Sequence, residues 1–266
     1  MYATVNGIRM AYRDRGRGHQ TTLLLIHGFP LDGRLWSAQL SGLASMTRVI
    51  VPDLRGCGRS DAPPGHYTMD QYAADLVALL DSLGVLHAVV GGLSMGGYIA
   101  FALWRRHPER VRALVLADTR AEPDSPQGRA NRDATAARIR EIGPAAFAAE
   151  MLPRLVAPAG MENPHRKTDA LRMMAAQPVE GLIGALGAMR DRPDSRELLY
   201  GISVPTLVLV GSEDGVTPPA DARAMAGAIP GARVVEAPGS GHLSPLENPR
   251  AVNAALRRFL LEVSAG

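Results

Sequence analysis

Short apolar runs alternate with helical stretches along most of the chain, and this alternation limits its fold more than any other feature. An apolar run without polar interruption is typical of a strand that is buried on both faces of a sheet. Six such runs predict strands over Leu23–Ile26, Val49–Val51, Ala88–Val90, Leu114–Leu116, Thr206–Val210 and Arg233–Val235. Helices are predicted over residues 34–44, 69–83, 95–107, 219–228 and 249–263. This order predicts an α/β fold in which right-handed crossovers build a doubly wound parallel sheet.

Two segments depart from the alternation. Residues 4–12 alternate around Asn6-Gly7, a pair typical of a two-residue hairpin turn, so an antiparallel hairpin is expected there. Residues 122–196 contain helical patterns, many prolines and no convincing strand, and they are too long for a plain connection. We therefore expect a helical cap at 122–196, inserted into a core formed by residues 1–121 and 197–266. Its predicted apolar underside consists of Leu171, Met173, Met174, Leu182, Ile183, Leu186 and Met189.

Composition argues against several classes of protein. With 46% hydrophobic and 21% charged residues, the chain has the composition of a folded domain. The net charge of +3 is spread without a basic run, so no nucleic-acid partner is expected. Residues 82–104 carry no charge and could span a bilayer by length, but their glycines favour a strand, a turn and a buried helix, so no membrane partner is expected. A single cysteine, Cys57, and the absence of signal-peptide features in residues 1–9 predict a cytoplasmic location.

The pentapeptide Gly92-Leu93-Ser94-Met95-Gly96 lies between a predicted strand and a predicted helix. This setting is the one that a nucleophile elbow requires, because the turn lifts the serine hydroxyl above the sheet. Glycines two residues before and after the serine fit because the turn crowds these positions. The amide of Met95, at the start of the helix, would be directed toward an oxyanion. Ser94 is therefore the candidate nucleophile.

A serine needs a base and an orienting acid before it can act as a nucleophile. His242 is the candidate base because its loop follows the last strand, at the carboxyl edge of the sheet where Ser94 also lies. Asp214 follows the preceding strand and is the candidate acid. Its rivals are Glu213, Asp118 and Asp53. We expect Asp53 instead to tie down its own loop through Arg55.

A second oxyanion donor is expected in the loop after Ile26. The sequence His27-Gly28-Phe29-Pro30 would present the Phe29 amide opposite that of Met95. His27 itself is expected to brace this loop rather than to act as a base.

The order of serine, acid and histidine resembles that of the α/β-hydrolase family. The motifs that carry the resemblance are His27-Gly28-Phe29-Pro30, residues 53–60, the Ser94 elbow, the Asp214 loop and Gly241-His242. The resemblance implies a mostly parallel eight-stranded sheet with helices on both faces and a helical cap. Within the family, residues 92–97 and Leu116–Arg120 are similar to small carboxylesterases and 3-oxoadipate enol-lactonases. Haloalkane dehalogenases and epoxide hydrolases would have an aspartate at the position of Ser94.

These features predict a serine esterase that forms an acyl-enzyme on Ser94, with no metal and no organic cofactor. The expected partner is a small-molecule ester or lactone, and a homo-oligomer is left open. A lactonase that uses the same triad is the alternative, and a carboxylated substrate would then need a cation in the pocket. Candidates for that cation are Arg120, Arg129, Arg132 and Arg190. A non-catalytic small-molecule receptor is a third hypothesis, which the complete set of catalytic residue types disfavours.

Overall fold

The computed structural model describes residues 1–265, in which eight strands form one sheet. The strands are β1 (Tyr2–Val5), β2 (Ile8–Arg15), β3 (Thr22–Ile26), β4 (Arg48–Pro52), β5 (Ala88–Leu93), β6 (Val111–Ala117), β7 (Thr206–Gly211) and β8 (Arg233–Ala237). Their spatial order is β1-β2-β4-β3-β5-β6-β7-β8. Pairing is parallel from β4 to β8, and the β1-β2 hairpin joins the sheet antiparallel to β4. The predicted fold class is confirmed.

The α-helices of residues 1–265 follow the strands as the alternation predicts. They are α1 (Ser37–Leu43), α2 (Met69–Ser82), α3 (Met95–Arg106), α4 (Pro126–Leu155), α5 (Pro158–Glu162), α6 (Pro164–Ala175), α7 (Val179–Arg190), α8 (Arg196–Leu199), α9 (Pro219–Ala228), α10 (Ser244–Glu247) and α11 (Pro249–Ala265). The stretch predicted as one helix over 34–44 is divided into a 3₁₀ turn, Gly33–Trp36, followed by α1. None of these helices is both long enough and apolar enough to cross a bilayer.

Alternation along each strand builds two cores, one on either face of the sheet. Leu24 and Ile26 of β3 point to the face covered by α2, α3 and α9, whereas Leu23 and Leu25 point to the face covered by α1 and α11. The Asn6-Gly7 turn has positive φ angles of 43° and 78°, as the predicted two-residue hairpin requires. A sheet covered on both faces fixes the carboxyl ends of its parallel strands at one rigid edge.

Helices α4 to α8 lie between β6 and β7 and form the cap insertion. Helix α4 is broken at Gly143, where φ is +77° and ψ 166°, so that it consists of two arms joined at a kink. Pro144 then begins the second arm, as proline commonly begins a helix. Most of the predicted apolar underside is buried, whereas Leu171 and Ile183 are half-buried.

Candidate active site

Ser94 occupies a sharp turn between β5 and α3, with φ 54° and ψ −113°. A positive φ is rare for a residue other than glycine and persists only where the surroundings enforce it. Here the Ser94 amide donates to the Ala117 carbonyl at 2.9 Å, and its carbonyl accepts from the Gly97 amide and the Thr119 hydroxyl, both at 2.8 Å. The neighbouring strand β6 therefore holds the serine in its strained position.

The two glycines of the elbow are required by close backbone contacts. A Cβ on Gly92 would collide with the carbonyl of Gly96, and a Cβ on Gly96 would collide with the carbonyl of Ile26. Backbone atoms cannot move aside as a flexible side chain can. The steric reason predicted for the Gly-x-Ser-x-Gly spacing is confirmed at both positions.

The loop after β3 lies directly against the elbow. A Cβ on Gly28 would stand 3.0 Å from the Leu93 carbonyl and 3.2 Å from Ser94 Cβ. Phe29, the next residue, is buried. The amides of Phe29 and Met95 both lack a hydrogen-bond acceptor among residues 1–265. Two unpaired donors on either side of a serine are what an oxyanion hole needs.

His27 braces this loop, as expected. Its Nδ1–H donates to the Gly28 carbonyl at 3.0 Å, and its Nε2 accepts from the Leu54 amide at 3.0 Å, which fixes a neutral tautomer. Complete burial lowers the pKa of His27. In a trans peptide the carbonyl and the amide point in opposite directions. By holding the Gly28 carbonyl, His27 therefore directs the Phe29 amide away from itself.

Asp214 and His242 form a buried pair. His242 Nδ1 lies 2.8 Å from Asp214 Oδ2, and both side chains are at most 3% exposed. Asp214 Oδ1 accepts from the Val216 and Thr217 amides, and Oδ2 accepts from the Thr217 hydroxyl at 2.6 Å. Burial acts to raise the pKa of Asp214, but the bond to His242, its charge and the Thr217 donors outweigh it and hold this pKa below its usual value. The carboxylate is thus kept ionised against the imidazole.

The rivals of Asp214 have other partners. Asp118 accepts from the Gly211 amide at 2.7 Å, and its second oxygen lies 2.5 Å from the Ser244 hydroxyl. Burial and the negative charge of Asp214 raise the pKa of Asp118 well above its ordinary value. Glu213 is exposed. Neither of these two carboxylates contacts His242.

Asp53 ties down its loop, but the prediction that it does so through Arg55 was wrong. It accepts from the Gly33 amide and from the Arg59 side chain. Arg55 turns the other way and forms a buried bidentate pair with Asp75 of α2. Proximity in sequence does not determine the direction in which a long side chain points.

Ser94 lies at the same edge of the sheet as the Asp214–His242 pair. The Ser244 hydroxyl, two residues beyond His242, reaches Asp118 at the end of β6, and the adjacent strand β5 carries Ser94. No hydrogen bond from Ser94 Oγ is present among the described side chains. Such bonds are often long in an enzyme without substrate and shorten in the reacting complex. The structure therefore shows the acid and base joined, with the serine at the end of β5, which is separated from β7 by β6.

A cleft of about 570 Å³ opens between the two arms of α4 and the core. Its apolar lining includes Phe29 and Phe147, whose ring centroids are 6.2 Å apart, together with Val216 of the Asp214 loop. The remaining lining residues are Asn131, Arg132, Ala134, Thr135, Arg138, Glu150, Met151, Arg154, Leu155 and Leu186. An apolar cleft with charged groups at its rim is typical of a small-molecule site.

A family model described as the alpha/beta hydrolase fold matches residues 21–249. The chain belongs to the α/β-hydrolase family.

Known proteins similar to this α/β-hydrolase include esterases and enol-lactonases. A thermophilic esterase from Thermogutta terrifontis is 44% identical, with a TM-score of 0.95 over 99% of this chain and 98% of that one. The enol-lactonase from Burkholderia xenovorans LB400 is 34% identical, with a TM-score of 0.91 over 98% and 100%. The 3-oxoadipate enol-lactonase 2 of Acinetobacter baylyi is 30% identical over 261 residues, which is 96% of both chains. The similarity to these esterases and enol-lactonases supports hydrolase activity for this chain.

Most of the arginines proposed from the sequence are engaged elsewhere in this α/β-hydrolase. Arg120 lies 3.3 Å from Asp221, Arg129 lies 4.0 Å from Asp191, and Arg190 lies 2.7 Å from Asp133. Only Arg132 lines the cleft, and its guanidinium is 2.9 Å from Asp124.

Sequence reasoning missed three polar residues of the site. Thr217 donates to Asp214 and lies 3.2 Å from His242 Nδ1. Arg138 and Arg154 line the cleft, and Arg154 has no carboxylate within ion-pair distance among the described side chains. The signal that could have found Thr217 is Asp214 itself, because an aspartate commonly accepts from backbone amides about two residues on and so draws the following residues toward its carboxylate.

Burial raises the pKa of the Cys57 thiol strongly, which disfavours the thiolate that a nucleophilic cysteine needs. Among residues 1–265, no group of three His, Cys, Asp or Glu side chains is arranged to hold a metal ion.

Proposed function

We propose that this α/β-hydrolase is a serine esterase that acts on carboxylic esters of small to medium size. The observation that carries the proposal is the buried Asp214–His242 pair, held at the same sheet edge as a serine with φ 54°. A strained serine beside two unpaired amides has no evident structural purpose. In a nucleophile elbow these features expose the hydroxyl and supply oxyanion donors.

The reaction would proceed through an acyl-enzyme. His242 takes the proton of Ser94 while Ser94 Oγ bonds to the ester carbonyl carbon, and Asp214 stabilises the imidazolium that forms. The amides of Phe29 and Met95 hold the oxyanion. Its collapse expels the alcohol, which receives the proton from His242. Water, with His242 again acting as base, then releases the acid and restores Ser94.

A fluorophosphonate probe tests this proposal directly, because only an activated serine hydroxyl reacts with it. We expect the parent protein to be labelled and to hydrolyse p-nitrophenyl butyrate, and Ser94→Ala to lose both properties. Ser82→Ala, which removes a hydroxyl bonded only to the Leu79 carbonyl, is the matched control and keeps both. A Ser94→Ala protein with the parent rate would refute the assignment. Absence of labelling in the folded parent would favour a non-catalytic receptor.

Lactone hydrolysis is the second candidate, because the cleft carries an excess of positive charge. Arg132, Arg138 and Arg154 line it, opposed there only by Glu150 among the lining side chains. Glu150 pairs with Arg138 across the two arms of α4 at 2.7 Å, which leaves Arg154 available to a substrate carboxylate. An enol-lactone with a carboxylate side chain would fit this charge.

Arg154→Gln tests whether the cleft binds the carboxylate of a substrate. Arg154 is exposed, so we expect a twofold to fivefold rise in KM for carboxylated esters and lactones, from an interaction of about 0.4–1 kcal/mol, and no change for neutral esters. Arg140→Gln is the control, because Arg140 is an exposed arginine on the other arm of α4 and does not line this cleft. Equal KM values for carboxylated substrates in the parent and the Arg154 variant would remove the support for a carboxylate site.

A further inference from the structure

Glu247 is a buried carboxylate that the reaction scheme does not use. It lies at the end of α10, with 2% of its surface exposed. Its Oε1 accepts from the amides of Gly241 and Leu243, each at 3.1 Å, and its Oε2 accepts from the amide of Ala157 at 2.8 Å. One side chain therefore holds the peptide groups on both sides of His242 and also a backbone amide of the cap.

The cap makes a second contact with the same loop. The His242 amide donates to the Leu155 carbonyl at 2.8 Å. A Cβ on Gly241 would stand 2.6 Å from the Ala157 nitrogen, so the two backbones touch. All three consecutive amides of 241–243 are thus bonded either to Glu247 or to cap residue Leu155. One of the three amides is therefore bonded to the cap directly, and the other two are bonded to a carboxylate whose second oxygen holds the cap amide of Ala157.

Keeping Glu247 ionised is costly. Burial raises its pKa, although the three backbone amides and the charge of Arg166 oppose the shift, and the carboxyl of Asp118 is a further buried acid nearby. Because its pKa is raised in the folded state, Glu247 favours folding when it is protonated. This contribution to the free energy of unfolding is lost as the pH rises through the folded pKa. An ionised Glu247 at neutral pH therefore costs stability, which suggests that its bonds serve another purpose.

We propose that Glu247 is a positioning residue that couples the position of His242 to the position of cap segment 155–157. The inference rests on the proposed serine-esterase function and extends it. A substrate that moves the cap would move the base through Glu247. Displacing a catalytic group by about 1 Å can cost a factor of 10² in turnover.

Two variants disturb this arrangement from opposite sides. Glu247→Gln retains one oxygen, so its NH₂ group must face either the loop amides or the Ala157 amide, donor against donor. Gly160→Ala leaves Glu247 intact, but its methyl group would stand 2.8 Å from Glu247 Oε2 and would press on it from the cap. We expect fluorophosphonate labelling of Ser94 to slow about 10-fold to 100-fold in Glu247→Gln and about 3-fold to 10-fold in Gly160→Ala, with KM for p-nitrophenyl butyrate within about threefold of the parent.

Leu256→Ala is the control for a merely structural role. Leu256 is fully buried in α11 and takes no part in the hydrogen bonds that join Glu247 to the cap and to the His242 loop, so we expect its loss to lower the thermal midpoint without changing the labelling rate of the folded protein. The inference is overturned if both Glu247→Gln and Gly160→Ala label within twofold of the parent. It is also overturned if their rates fall only in step with the midpoint, as in Leu256→Ala. Should Glu247→Gln not fold, Gly160→Ala alone decides. An unlabelled parent would instead identify failure of the proposed function, and the inference would fall with it.

Discussion

The proposed oxyanion hole is made of backbone amides, which side-chain substitution cannot remove, but a substitution at Gly28 can displace one of them. Its missing side chain allows the loop to lie against the elbow. In Gly28→Ala the new methyl group would stand 2.9 Å from Leu93 Cδ2, 3.0 Å from the Leu93 carbonyl and 3.2 Å from Ser94 Cβ. Since an ordinary carbon contact is about 3.5–4.0 Å, the loop and the elbow must separate by several tenths of an ångström.

The expected loss of kcat follows from the displacement of the Phe29 amide relative to Ser94. The Phe29 amide belongs to the same peptide unit as the Gly28 carbonyl, so it moves with the loop while Ser94 stays on its strand. Complete loss of one oxyanion donor costs about 2.7–4 kcal/mol, or 10²–10³ in kcat. A partial displacement should therefore lower kcat by about 10-fold to 10²-fold. Overpacking should also reduce the free energy of unfolding by about 1–3 kcal/mol.

The assay is steady-state hydrolysis of p-nitrophenyl butyrate at 25 °C, with urea unfolding of the same preparations. Gly227→Ala is the matched control, because a Cβ there would meet nothing within 4 Å and the residue lies in helix α9. It should keep the parent kcat and gain about 0.4–1 kcal/mol of stability. A folded Gly28→Ala protein with kcat within twofold of the parent would refute the placement of the Phe29 amide in the oxyanion hole.

Three further predictions concern the buried polar groups. Asp214→Asn should lower turnover by up to about 10⁴, whereas Asp118→Asn should lower it less than tenfold, and equal losses in steady-state assays would contradict the assignment of the acid. Thr217→Val removes the hydroxyl bond to Asp214 and should lower the free energy of unfolding at pH 7 by about 1.5–3 kcal/mol in urea titrations. Burial lowers the pKa of His27, so its contribution to stability is present above the unfolded pKa of about 6.5 and is lost as the pH falls toward and through the folded pKa. Urea titrations from pH 7.5 to 5 should show this decline in the free energy of unfolding, and His27→Gln should reduce the decline.

Local patterns were sufficient for most of the core. The run Leu23–Ile26 and the Asn6-Gly7 turn specify a strand and a hairpin through their own backbone and burial preferences, and both are present. The elbow was predictable for the same reason, since Gly92 and Gly96 relieve contacts within a few residues of Ser94 or with the adjacent strand. The break in α4 also has a local signal, because a glycine followed by a proline, Gly143-Pro144, is typical of a turn.

Contacts between distant segments could not be read from the chain. Arg55 selects Asp75 over Asp53 because helix α2 brings Asp75 to it, and no spacing rule contains that fact. Glu247 reaches Ala157 across 90 positions in sequence, and this contact depends on where the cap settles on the core. Arg154 lines the cleft only because α4 is bent, which turns its second arm toward Phe29. Long side chains and inserted segments are therefore where sequence reasoning stops.

Three buried carboxyls surround the catalytic loops, and their partners give them different chemistry. Asp214 faces an imidazole and the Thr217 donors, which outweigh burial, so its charge is favoured where the proposed reaction would create an imidazolium. Asp118 and Glu247 face only hydroxyl and amide donors, which do not offset burial, and the pKa of each is raised. Had Asp118 shared the imidazole, two like charges would have competed for one proton. In the proposed mechanism the carboxylate that stays charged lies against the base, whereas the other two hold backbone amides and a hydroxyl. One edge of the sheet can therefore accommodate three acids while only one of them directs the proposed proton transfer.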